Sequence, residues 1–195
     1  MTLRNKGVYG LVLSGGKSSR MGRDKSKIAY HGQPQEEYLF GLLDRFCDHT
    51  FISVRSSSEK DERYITDDQP YRGPLNGMLS AHKRFPEVAW FVLACDLPLA
   101  DERSVKELLQ ARDRSFFATS YALKGSELPE PLFAIWEAEA FSEAEAYLLK
   151  GEKSCPRKFL LNNNTHIIHP YSDKVLMNAN SEEEYQKAME IIGHR

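Results

Sequence analysis

The segment Leu11-Val12-Leu13-Ser14-Gly15-Gly16-Lys17-Ser18-Ser19-Arg20-Met21-Gly22-Arg23-Asp24-Lys25 constrains this chain more than any other. A short apolar run ends in two glycines, and a basic, hydroxyl-rich stretch follows. That order predicts a buried strand feeding a glycine loop. Glycine lets backbone approach a ligand closely, because no Cβ intervenes. Loop N–H groups and the start of a following helix cradle negative charge. Arg20 and Lys25 add fixed cations. Three devices therefore converge on one phosphate chain. The segment holds neither G-x-x-x-x-G-K-[ST] nor a helix-opening G-x-G-x-x-G, so it is neither a P-loop nor a dinucleotide fingerprint.

The remainder reads as strands alternating with helices. Val8 to Leu13 is the continuous apolar run of a strand buried on both faces. Gln35 to Cys47 carries Leu39, Leu42, Leu43 and Phe46 at helical spacing. Phe51 to Val54 is a second strand. Leu75 to Phe85 is a helix opened by Gly73-Pro74, with proline near its first position. Val88 to Cys95 is the strongest strand signal in the chain. Asp101 to Arg112 is an amphipathic helix. Phe116 to Tyr121 and Leu132 to Trp136 read as strands, Glu137 to Lys150 and Pro156 to Leu161 as helices. Ile167-Ile168 and Val175 to Asn178 are short strand candidates. Ser181 to Ile192 closes the chain as a helix, with Ser181 and Glu184 spaced as a capping box. This alternation predicts a three-layer α/β sandwich around a mostly parallel, Rossmann-like sheet. At 195 residues the chain suits a single domain over 1–195.

A formal charge of −2 gives no global case for nucleic acid, so any anion site must be built locally. Cys47, Cys95 and Cys155 are odd in number and form no C-x-x-C pair. A reducing cytoplasm is the expected setting. No apolar leader is legible at the N-terminus. No run of about 18 apolar residues is present, so no membrane contact is expected.

Two further constellations carry chemistry. Cys95-Asp96-Leu97-Pro98 ends the strongest strand. Ligands gather at the carboxyl ends of strands in open α/β sheets, and Mg²⁺ takes one or two carboxylates with phosphate oxygens and water. Asp96 is the expected Mg²⁺ ligand. The stretch Ile65-Thr66-Asp67-Asp68-Gln69-Pro70-Tyr71-Arg72-Gly73-Pro74-Leu75-Asn76-Gly77-Met78 places two acids before a turn. Small residues then open the next helix, where a base or ribose can lie against backbone. A carboxylate there can accept from guanine N1–H and N2–H₂, or bond a ribose hydroxyl.

Together these motifs resemble those of the molybdenum cofactor guanylyltransferases, a family of nucleotidyltransferases. The loop matches the signature L-x-G-G-x-S-x-R-M-G-x-D-K at every fixed position from Leu13 to Lys25. C-D-x-P and G-P-L-x-G-M match further blocks. The resemblance implies the fold of the nucleotide-diphospho-sugar transferases. It also implies transfer of GMP from GTP to molybdopterin or its molybdenum-bearing form, with release of pyrophosphate.

Residue by residue, the resemblance makes Asp96 the metal-binding aspartate and sets Asp67, ahead of Asp68, against the nucleotide. Asn178 and Asn180, in N-x-N-[ST], fall on the pterin side, although asparagine also suits turns by itself. Glu130 stands where the family usually has histidine in His-Pro. Leu13, Ser14, Gly15 and Gly16 would offer nucleotide contacts, Lys25 would sit on the α-phosphate or bridging oxygen, and Arg20 would hold the β,γ-phosphates or the pterin phosphate. A molybdenum insertase or an apo-molybdoenzyme would be a transient partner. Two alternatives stay open: CTP or another acceptor on the same fold, and a non-catalytic nucleotide-binding protein.

Overall fold

The structure, a computed structural model, describes residues 7–14, 25–56, 61–149 and 154–193. Seven strands form one sheet: β1 (Val8–Leu13), β2 (Thr50–Val54), β3 (Tyr64–Thr66), β4 (Ala89–Ala94), β5 (Ala118–Tyr121), β6 (Phe133–Trp136) and β7 (Thr165–Ile168). Six α-helices cover it: α1 (Gln35–Asp44), α2 (Pro74–Arg84), α3 (Glu102–Gln110), α4 (Ala138–Leu149), α5 (Pro156–Leu161) and α6 (Glu182–Gly193). The spatial order is β3-β2-β1-β4-β6-β5-β7, and only β6 runs against its neighbours.

β1 and β4 lie at the centre because their side chains are apolar on both faces. Alternation sends Val8, Val12, Phe91 and Leu93 to one side, where Leu39, Leu42 and Leu43 of α1 and Val105 and Leu108 of α3 meet them. Leu11, Trp90 and Val92 face the other side, against Leu75, Met78 and Leu79 of α2, Phe141 of α4 and Phe159 of α5. Three layers result. The crossover through α1 carries the chain from β1 to β2, and the crossover through α2 carries it from β3 to β4. These helices lie on opposite faces, so the crossovers diverge and leave a crevice above the carboxyl ends of β1 and β4.

The expected strands and helices are found within a few residues of their ends, with three differences. Tyr64–Thr66 forms an edge strand that the sequence reading left inside a loop. Three residues with one buried side chain give almost no periodic signal. β6 is antiparallel because the connection 122–132 contains no helix. A parallel return needs a crossover of a dozen or more residues, usually helical.

The third difference corrects a strand expectation. Val175 to Asn178 is not a strand, since Asp173–Leu176 forms a 3-10 turn. The Ser172 hydroxyl accepts from the Lys174 N–H, and the turn drops Val175 and Leu176 into the core.

Two helices, α6 and α3, are capped by side chains. At α6 the Ser181 N–H donates to Glu184 Oε2 at 3.0 Å, and the Glu184 N–H donates to Ser181 Oγ at 3.2 Å. At α3 the Ser104 N–H donates to Asp101 Oδ1 at 3.0 Å, while Tyr171 donates its hydroxyl to Asp101 Oδ2 at 2.6 Å. Asp101→Ala removes a cap and a hydroxyl partner together. The expected loss is about 1–2 kcal/mol. Thermal unfolding should show it as a drop of about 2–4 °C per kcal/mol at this chain length.

Candidate active site

A cleft of about 230 Å³ opens at the carboxyl ends of β1, β2 and β4. Leu13, Ser14, Lys25, Asp67 and Asp96 line it, together with Ser53, Arg55 and Gly77. Five of the residues singled out from sequence therefore share one cavity. Gly15, Gly16 and Arg20 lie outside the described residues.

Asp96 stands just past the end of β4, after Cys95. The Cys95 N–H donates to the Leu13 carbonyl at 3.2 Å, and the Ala179 N–H donates to the Asp96 carbonyl at 2.8 Å. The carboxylate is thus held between the end of β1 and the segment before α6. Its Oδ1 is buried and has no hydrogen-bond partner among the described residues. Burial pushes the Asp96 carboxyl above the usual range, and the nearby Lys25 charge pulls it back. An orphaned buried carboxylate oxygen beside a lysine fits a divalent cation shared with phosphate oxygens. No cluster of three or more His, Cys, Asp or Glu ligands exists among the described residues. The remaining ligands of such a cation would have to come from substrate and water.

Lys25 opens the 3-10 turn Lys25–Lys27. Its Nζ donates to Asn180 Oδ1. The Asn180 N–H in turn donates to Glu184 Oε2 at 2.6 Å, so the cap of α6 braces the asparagine that meets the lysine. Asn178 is set differently. Its side-chain amide turns back to the Leu176 carbonyl at 3.4 Å, a local turn contact. Of the two asparagines, only Asn180 is joined to Lys25.

Asp67 follows β3 and sits inside the cleft. The Asp67 N–H continues the sheet ladder to the Val54 carbonyl at 2.8 Å. Ser53 donates its hydroxyl to Asp67 Oδ1 at 3.0 Å. Gly77 of α2 makes room for that pair, since a Cβ there would fall 2.1 Å from Ser53 Oγ and 3.0 Å from Asp67 Oδ1. Asp68 faces away, pairing with Lys83 at 3.1 Å on the surface. Burial raises the Asp67 carboxyl above its ordinary value, against the opposing effects of the Ser53 hydroxyl and the Arg55 charge.

Although Leu132 close by lines the cleft, Glu130 does not. It is largely buried, accepts from Arg157 Nη2 at 2.9 Å, and takes the Leu132 N–H at 3.3 Å. Burial raises its carboxyl, Arg157 lowers it, and Asp96 is close enough to repel it. A carboxylate clamped by an arginine thus stands where the sequence resemblance leads one to look for histidine.

Three residues at the site were missed from sequence. Ser53 and Arg55 follow the same strand-end logic as Asp96, so the carboxyl end of β2 was the available signal. Glu36, which accepts from the Ser14 hydroxyl at 2.5 Å, gave no signal, because an acid beside Gln35 and Glu37 in the first turn of a helix reads as a solvated position.

Residues 10–169 match the family described as the MobA-like NTP transferase domain. The chain belongs to that family. It is 34% identical over 186 residues to a molybdenum cofactor biosynthesis bifunctional protein from Synechocystis sp., covering 91% of this chain and 52% of that protein. The chain therefore spans about half the length of that relative. A molybdenum cofactor guanylyltransferase from Pseudomonas paraeruginosa is 32% identical over 191 residues, covering 93% of this chain and 94% of that one. The fold is similar to the crystal structure of molybdopterin-guanine dinucleotide biosynthesis protein A from Archaeoglobus fulgidus. That likeness has a TM-score of 0.79 at 21% identity, over 96% of this chain and all of the other.

The Asp67 environment gives a stability test. Below the ordinary carboxylate range the group is protonated whether the chain is folded or not, so it has no effect. As pH rises, the unfolded chain releases its proton first, and the folded state becomes relatively less stable until Asp67 also ionises. Asp67→Asn should therefore melt higher than the parent at neutral pH. The difference should disappear below about pH 4. Melting temperatures of both proteins across pH 3–8 check this, and a constant difference across the range would contradict it.

Proposed function

We propose that this chain is a guanylyltransferase that joins GMP from GTP to molybdopterin, or its molybdenum-bearing form, and releases pyrophosphate. The observation that carries the reading is the juxtaposition at the crevice between β1 and β4: a buried Asp96 oxygen, without a hydrogen-bond partner among the described residues, near Lys25. Phosphate binding alone does not require a desolvated carboxylate. Such a group is costly to bury and becomes favourable when a cation joins it to an anionic substrate. The names of the relatives above supply the nucleotide and the acceptor.

In this reading the acceptor phosphate attacks the α-phosphorus of GTP. A phosphate nucleophile is already ionised, so no general base is required. The work of the protein is to hold two anions together and to neutralise charge on the departing pyrophosphate. Asp96 holds the divalent ion, taken here as Mg²⁺, which would screen the two phosphate groups from each other and stabilise the leaving group. Lys25 neutralises the α-phosphate or the bridging oxygen, and Asn180 sets its direction beforehand.

Asp67 accepts from the ribose or the guanine edge on the other side of the cleft. Leu13, Ser14, Gly15 and Gly16 provide nucleotide contacts along the loop, and Arg20 takes the outer phosphates or the pterin phosphate. Asn178 and Asn180 sit on the pterin side of the same reading. Handover to a molybdenum insertase or an apo-molybdoenzyme in the cytoplasm completes it. Among the described residues no helix is long and apolar enough to cross a membrane.

Calorimetric titration with GTP, CTP, ATP and UTP, with and without Mg²⁺, tests the nucleotide. GTP should bind best, and more tightly with Mg²⁺. A preference for CTP would keep the fold and change the product. Asp96→Ala should retain the fold and lose pyrophosphate release by at least about a thousandfold. Mg²⁺-dependent turnover persisting in that variant would remove Asp96 from the metal site. Lys25→Ala should lower kcat by more than it raises the Kd for GTP, as expected for a contact strengthened in the transition state.

A further inference from the structure

Glu36 is a charged side chain that the transfer reading leaves unused. It is 2% exposed, yet it carries two polar contacts to different parts of the chain. Oε2 accepts from Ser14 Oγ at 2.5 Å, and Oε1 is ion-paired with Lys27 Nζ. Ser14 precedes Gly15-Gly16 at the end of β1, and Lys27 lies in the same 3-10 turn as Lys25. One carboxylate therefore joins the end of β1 to the Lys25–Lys27 turn. Ser14 lines the cleft, and so does Lys25, which shares that turn with Lys27.

The location makes a buried charge tolerable. Glu36 is in the first turn of α1, whose N-cap is Pro34 with no side-chain cap. The unsatisfied N–H groups of that turn and the helix dipole favour an anion. Tolerable does not mean stabilising. The pair is weak evidence for stability, because Lys27 is 62% exposed and solvent screens its charge. What such a pair supplies instead is a fixed arrangement of the groups it joins. Holding the groups that line a cleft in place before a ligand arrives removes part of the ordering that binding would otherwise require.

We propose that Glu36 is a positioning residue that clasps Ser14, at the end of β1, to the turn that carries Lys25, and so sets the affinity of the cleft for nucleotide. The proposal rests on the nucleotide-binding part of the function above and not on the transfer step. Glu36 acts through Ser14 and through the turn that carries Lys25. Removing either Glu36 or Ser14 therefore opens the same clasp, and removing both adds little to removing one.

The test is calorimetric titration of Mg²⁺-GTP into the parent protein and four variants, with melting temperatures recorded alongside. Glu36→Ala and Ser14→Ala should each weaken GTP by about tenfold or more, a ratio of dissociation constants that calorimetry resolves readily. The double variant should be no weaker than the worse single one by more than about twofold. Glu36→Gln keeps an acceptor for Ser14 and gives up the charge facing Lys27, so it should fall between Glu36→Ala and the parent.

A purely structural role would lower the melting temperature and leave the Kd of the folded protein unchanged, and that result overturns the proposal. Fully additive losses in the double variant overturn it as well. Should Glu36→Ala fail to fold, the near-isosteric Glu36→Gln decides the matter, and a Kd equal to the parent's is then the overturning result. A parent protein that binds GTP without ever releasing pyrophosphate strikes the transfer reading alone.

Discussion

β1 and β4 pair in parallel from Val8 opposite Ala89 to Leu13 opposite Ala94, and the site depends on that ladder. Each strand is apolar on both faces, so each must be covered twice. Coverage from opposite sides is what sends α1 and α2 in opposite directions. Where the crossovers part, backbone amides and strand-end side chains are left facing a crevice with no helix over it. Ser14 and the Cys95-Asp96 pair come immediately beyond the sheet at that point. Their closeness follows from the register, since Cys95 donates its N–H to the carbonyl of Leu13.

The second half of the sheet serves the first. β6 inserts antiparallel between β4 and β5, and Leu132, just before it, forms part of the cleft wall. Trp136 and Tyr121 fill the two faces there, each fully buried. Trp136 donates its indole N–H to the Pro131 carbonyl at 2.9 Å, and Tyr121 donates its hydroxyl to the Ser104 carbonyl at 2.7 Å. Large aromatic rings with satisfied polar atoms hold the Glu130–Leu132 segment beside Asp96. The segment before α6 arrives from the other side, where Ala179 bonds to Asp96 and Asn180 to Lys25. A chain end distant in sequence thereby fixes the charge balance of the cleft.

Electrostatically the site is a set of buried acids kept company by cations. Asp96 has Lys25, Glu130 has Arg157, and Glu36 has Lys27. Burial raises the Asp96 and Glu130 carboxyls, and in each case a neighbouring cation opposes the shift. Desolvation strengthens every later interaction with a phosphate, because charges separated from water act at lower effective dielectric. It also explains why such groups are found at a crevice and not in the middle of a face, where no ligand would offset their burial.

The sequence by itself determined the alternation of strands and helices and marked Val8 to Leu13 and Val88 to Cys95 as strands. Local physics is enough for those, since continuous apolar runs mark strands covered twice. It also marked Asp96, because a carboxylate stopped by proline after a buried strand has only the strand end to occupy. The family resemblance set Asp67 ahead of Asp68, and the register of β3 against β2 puts the former in the cleft and the latter on the surface. Tertiary structure alone decided what no local pattern encodes. The antiparallel turn of β6 and the 3-10 turn in place of a strand at Val175 both depend on what the core accepts. The contacts of Asn180 with Lys25 and of Glu36 with Ser14 join residues 155 and 22 positions apart. Such pairs arise from how layers pack, and a one-dimensional pattern carries no record of which surfaces will meet.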